Sequence, residues 1–269
     1  MDRQPAVAGR FYDANPERMN GFIDGALSQA VDKQSRPTIL AMAPHAGYVF
    51  SGGVCGKTLA AANLASTVLM LGPNHTGMGE RFAVWSDGAW NIPGAKVPVD
   101  EPLAETLLEA SPLLTPDRAA HVQEHSLEVI IPFLHRLNPK TTIVPIAVSS
   151  HVPADLESVG KAIGQTLAAY DRPVSIVVSS DMSHFISHED AKRIDALALE
   201  AAVALDPKGL FDTVSAHQIS MCGVLPMTLG LYAALEMSAT KGELIAYATS
   251  GEVSGDFDQV VGYAGIVVS

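Results

Sequence analysis

The 269 residues carry 29 Asp and Glu against 17 Lys and Arg, a formal net charge of −12 at pH 7. Nucleic-acid and anionic-membrane binding both need clustered basic residues, which this balance does not supply. The N-terminal MDRQPAVAGRFYDANPERM lacks a signal-peptide core, and no later stretch reaches the roughly eighteen apolar residues of a membrane span, so a cytoplasmic protein with small-molecule, peptide or protein partners is expected.

A 48% hydrophobic and 17% charged composition without low-complexity tracts suits a single α/β domain over residues 1–269, with a buried sheet covered by helices. The two cysteines, Cys55 and Cys222, are not expected to pair in a reducing compartment.

In chain order, residues 5–12 (PAVAGRFY) read as an arm laid against the sheet. Asn15 and Pro16 supply the cap and first position of a helix over 17–31. The stretch 38–51, TILAMAPHAGYVFS, is an apolar run that stops abruptly at Pro44 and His45, the pattern of a buried parallel strand feeding a functional loop. Residues 51–65 form a small-residue helix. Within it SGGVCGKT imitates a phosphate loop, but the first glycine of that pattern is missing and His45 to Phe50 separate it from its strand, so a close-packed helix start is expected instead. TVLMLG at 67–72 then repeats the grammar, running into Pro73, Asn74 and His75.

Residues 81–86 and 89–99 read as short strands in a hairpin or edge extension, and 101–110 as a short helix; 111–120 are too rich in turn residues to assign. Glu124 and His125 open an apolar helical pattern, HSLEVIIPFLHRL, in which His125 and Glu128 share a face. Glu128 is then either the orienting partner of His125 or simply a first-turn anion at a helix dipole. A strand at 142–148 and a helix at 153–169 lead to VSIVV at 174–178, followed by Asp181 and His184.

Helices at 189–205 and 207–215 come next, with His188 and His217 as surface or capping residues. MCG then opens an apolar helix that places Cys222 near its N-terminus, where the dipole and a cation would lower the thiol pKa. Strands at 243–249 and 260–268, separated by a polar loop, close the fold. The βαβα alternation predicts a mostly parallel sheet, with His45, His75 and His184 gathered at the carboxyl edge where open α/β sheets bind ligands. Three histidines at one edge argue for a polar, metal-binding site.

His45 in APHAGY, His75 in GPNHTG, His125 in EHSLE, Asp181 and His184 in SSDMSH, and Cys222 in MCG, in this order, resemble the Memo family, whose bacterial members are also described as protein B of the AmmeMemoRadiSam system. The likeness runs from AVAGRFY to the final GYAGIVV. It implies an αβα sandwich similar to class III extradiol ring-cleaving dioxygenases. It also implies metal ligation by His45, His75 and Cys222, with Asp181 as a further ligand and His125 and His184 as the proton-handling groups lining the site. A thiolate in place of the ring-cleaving enzymes' carboxylate shifts the expected metal towards copper, with iron(II) retained from the fold likeness and zinc also accommodated. Three functions follow as expectations: a metal-dependent, dioxygenase-like oxidoreductase acting on a small substrate, a non-catalytic metal- or peptide-binding protein, and a partner of a radical enzyme.

Overall fold

The computed structural model describes residues 2–29 and 33–269. The chain runs through α1 (Pro16–Leu27), β1 (Leu40–Ala43), α2 (Tyr48–Ala61), β2 (Thr67–Pro73), β3 (Phe82–Val84), β4 (Ala89–Ile92), β5 (Ala95–Pro98) and α3 (Glu101–Ala110). It continues through β6 (Thr115–Pro116), α4 (Ala119–Val122), α5 (Ile131–Leu137), β7 (Thr142–Val148), α6 (Pro153–Ala169), β8 (Val174–Ser179) and β9 (His184–Ile186). The last elements are α7 (His188–Val203), α8 (Pro207–Ala216), α9 (Val224–Glu236), β10 (Gly242–Thr249), α10 (Gly251–Ser254) and β11 (Val260–Val268).

Among the described residues, one nine-stranded sheet follows the order β10-β11-β1-β8-β2-β7-β3-β6, with β9 attached to β11. Its four central strands, β1, β8, β2 and β7, are mutually parallel, and antiparallel β11 and β3 flank them. Strand periodicity sorts the side chains into two layers. Leu40 and Met42 of β1 join a core with α3, α6, α7, α8 and α9, while Ala41 and Ala43 face α1, α2 and α5. Helices therefore cover both faces, which gives the expected αβα sandwich. The hairpin β4-β5 forms a separate two-stranded sheet, and β3 instead extends the main one.

Local chemistry sets several boundaries. The Asn15 side chain accepts from the Glu17 and Arg18 N–H groups and Pro16 follows it, so α1 starts where the sequence predicts. It ends at Leu27 rather than 31, capped by Ser28, whose hydroxyl donates to the Gly25 carbonyl; Val31 lies outside the described residues. In α2, a Cβ at Gly56 would stand 2.6 Å from Ala26 Cβ, so the phosphate-loop lookalike is a seam packed against α1. No helix among the described residues is long and apolar enough to cross a membrane.

The helix expected from His125 onward forms only over α5, with residues 126–130 in turns. The Glu124 carboxylate captures the His125 and Ser126 N–H groups. The proline near the start of α5 favours initiation at that point, because a proline N–H is not needed there.

Candidate metal centre

The parallel strands deliver their loops to one edge, as the repeated pattern requires. His45 follows β1, His75 follows β2, Asp181 follows β8, and His125 enters from the turn before α5. One ring nitrogen each from His45, His75 and His125 lie within 4.8 Å of one another. The His75 and His125 rings stack at 4.8 Å, and both meet His45 edge-on, at 5.3 and 5.5 Å.

Hydrogen bonds fix which nitrogen is free in two of the rings. Ser179 donates its hydroxyl proton to the Ser126 carbonyl at 2.7 Å, so its oxygen accepts from His45 Nδ1 at 2.6 Å. His75 Nδ1 donates to Glu124 Oε1 at 2.9 Å. In both rings the proton sits on Nδ1, and the Nε2 lone pair is left for a ligand. A carboxylate behind an imidazole is also the arrangement that orients metal-binding histidines. Glu124 further accepts from the backbone N–H groups of His75, His125 and Ser126, and it lies 3.5 Å from His125 Nδ1.

The electrostatics follow from burial and from Glu124. Burial in the sheet edge pushes His45 well below the ordinary imidazole pKa, and burial lowers His125 as well, so both stay neutral. Burial also acts to lower His75, but the hydrogen bond and charge of Glu124 outweigh it and its pKa is raised. Glu124 itself is held at about 2, because His75 and the Ser126 N–H overcome the opposing effect of burial.

Cys222 lies just before α9, whose cap residue Gly223 packs so tightly on Ser180 that a side chain there would collide. This close approach sets Cys222 Sγ 3.4 Å from His45 Nε2. Asp181 shares the same corner: its carboxylate accepts from the His45 N–H at 2.8 Å, and its own N–H donates to Cys222 Sγ at 3.2 Å. The expected lowering of the Cys222 pKa does not occur in this geometry. Burial and the Asp181 charge raise it well above the ordinary thiol value, outweighing the helix terminus. Burial likewise lifts Asp181 to about 6. His184, on β9, donates Nδ1–H to the Ser220 carbonyl at 2.9 Å, which leaves its Nε2 as the basic atom.

Two polar residues that hold the site were not singled out in the sequence. Glu124 is the partner of His75 and His125, a role the spacing had offered to Glu128, and its adjacency to His125 was the available signal. Ser179 sets the His45 tautomer, and only its place at the end of β8 pointed to it. Beside the site, Phe11, Phe22, Tyr48, Val49 and Phe50 line a groove of about 690 Å³, with the Phe11 ring 4.8 Å from that of His125.

A family model described as Memo-like protein matches residues 3–267. The chain belongs to the Memo family. Its relatives include a MEMO1 family protein of Methanopyrus kandleri, 39% identical over 99% of each chain, and one of Aquifex aeolicus, 36% identical over 98% of each. The fold is shared with an uncharacterized protein of known structure from Escherichia coli K12, at a TM-score of 0.54 and 14% identity, covering 84% of this chain and 98% of that one. The Memo family likeness thus extends over residues 3–267, including every strand loop of the site.

Proposed function

We propose that this Memo-family protein is a metal-dependent oxidoreductase of the dioxygenase-like type, with a transition metal, iron(II) or copper, held by His45, His75 and His125 and with Cys222 as a further ligand. The observation that carries the reading is the convergence of three imidazole nitrogens within 4.8 Å, with His45 and His75 each spending Nδ1 on a fixed acceptor. Imidazole nitrogens suit iron, copper and zinc, the metal displacing any proton His75 carries, and a neighbouring sulfur favours copper over a purely nitrogen set.

A bound metal of this kind supplies Lewis acidity and one-electron chemistry. The chain itself supplies the remaining parts. Glu124 and Ser179 hold two ring orientations. His184 Nε2 accepts a proton, and Asp181, near its midpoint at about pH 6, holds or releases one close to neutrality. The aromatic groove beside His125 suits a small apolar or peptide ligand. The alternative, a binding protein without turnover, would use the same ligands.

Protein purified anaerobically should carry close to one equivalent of iron or copper, measured by elemental analysis. His45→Ala, His75→Ala and His125→Ala should each lose it while remaining folded. Unchanged metal content in all three variants would remove the reading.

A further inference from the structure

A buried ion pair ties the N-terminal segment to the turn before α5, outside the three-histidine group. Arg3 and Glu128 meet at 2.8 Å, each with 1% side-chain exposure. The Arg3 guanidinium also donates to the carbonyls of His121 at 2.8 Å and Glu124 at 2.5 Å, and it lies 4.1 Å over the Trp90 ring. Glu128 accepts from the Ala6 and Val7 N–H groups and from the Tyr12 hydroxyl.

Stability alone does not account for such a pair, because well-packed apolar side chains often serve as well or better than two desolvated charges. A planar guanidinium does something apolar groups cannot: it grips two carbonyls of the 121–124 turn at once, in a fixed relation. Glu124 is the last residue of that turn. Its backbone is pinned by Arg3 on one side, while its carboxylate on the other side receives His75 Nδ1 and the backbone N–H groups of His75, His125 and Ser126. The same arm reaches the remaining loop, where the Phe11 carbonyl accepts from the Tyr48 N–H at 2.8 Å, three residues beyond His45.

We propose that Arg3 and Glu128 are positioning residues for the three-histidine group, fixing Glu124 and, through it, the ring orientation of His75. The inference deepens the metal reading and rests on it for one of its two readouts. Arg3→Lys keeps a cation for Glu128 but loses the two-carbonyl grip, and Glu128→Gln keeps the shape without the charge. Tyr12→Phe removes one donor to Glu128 and is the milder variant should the others fold poorly.

In metal-free, ¹⁵N-labelled wild type, at a pH above the raised pKa of His75, that ring should show the nitrogen shifts of a single Nδ1–H tautomer. The arm variants should show mixed tautomers or broadened signals, and zinc titration should report binding weaker by about tenfold or more. Val214→Ala, in the core on the opposite face of the sheet, should lower the melting temperature yet move neither readout. Arg3→Lys combined with Glu124→Gln should bind zinc no more weakly than Glu124→Gln alone, because the arm acts through Glu124. Wild-type ring signals and zinc affinity in the folded arm variants would overturn the proposal, as would equal changes in Val214→Ala. If wild-type protein takes up no zinc, the metal reading fails, and the ring signals still decide the positioning role.

Discussion

Cys222 Sγ stands 3.4 Å from Nε2 of His45, the nitrogen that the Ser179 hydroxyl leaves unprotonated. Because burial and Asp181 keep this thiol protonated at neutral pH, sulfur ligation must expel a proton. Metal titrations in buffers of differing ionisation enthalpy should therefore show about one more proton released by wild type than by Cys222→Ser. The metal-free thiol should alkylate slowly near pH 7 and faster only in alkaline solution. Equal proton release in the two proteins would remove Cys222 from the ligand set. Cys222→Asp should in turn shift preference from Cu(I) towards Fe(II), since oxygen is the harder donor.

Glu124→Gln preserves volume while removing the charge behind His75. Metal affinity should fall by about 10–100-fold. The fold should weaken as well, because the carboxylate accepts from three backbone N–H groups. Calorimetric metal titration alongside a thermal melt separates the two effects, and a stability loss without an affinity loss would show that the carboxylate serves only the backbone.

His121 provides a pH test away from the ligand cluster. It is fully buried, its Nε2 lies 2.9 Å from the Ala83 carbonyl, and burial lowers its pKa to about 4. An unfolded-state value near 6.5 means that the unfolded chain takes up the proton first, so stability is complete above about pH 6.5 and lost as the pH falls towards 4. The contribution is about 3 kcal/mol. His45 and His125 shift in the same direction, so wild type should lose more than this. Urea unfolding at pH 7, 5.5 and 4.5 should show a shallower pH dependence in His121→Gln. An unchanged slope would mean that His121 is not the buried neutral group assigned here.

Simple catechols should be poor substrates of the Fe(II)-loaded protein. The close donor group is three imidazoles, and the nearest carboxylates are engaged: Glu124 with His75, and Asp181 with the His45 N–H. Rapid formation of a yellow ring-opened product from protocatechuate would contradict this and would favour Asp181 as an oxygen ligand.

The sheet and three of its functional loops were legible because β1, β2 and β8 are apolar runs that stop at residues unable to continue them, although the three-histidine group joins His125, and not the expected His184, to His45 and His75. The missed features have both local and non-local causes. Periodicity carried the helix of Phe133 and Leu134 back to His125, but the Glu124 carboxylate claims the first N–H groups and Pro132 restarts the chain. β9 is three residues long and polar at His184, too short to register as alternation. The helix-dipole argument for Cys222 was locally sound, yet burial and the charge of Asp181, 41 positions away, reverse it. Arg3 and Glu128 are 125 positions apart, and no local pattern joins them.

The place of β11 in the sheet has a consequence for biosynthesis. This strand, the last in the chain, lies between β10 and β1 and also carries β9, with Val261 paired to His184. During translation the first strand therefore waits for a neighbour that emerges more than two hundred residues later, and His184 has no sheet to rest on until then. The nascent chain exposes the edge of β1 throughout that interval, so the site is completed only once β11 has emerged, and chaperone demand should concentrate on the chain before that point.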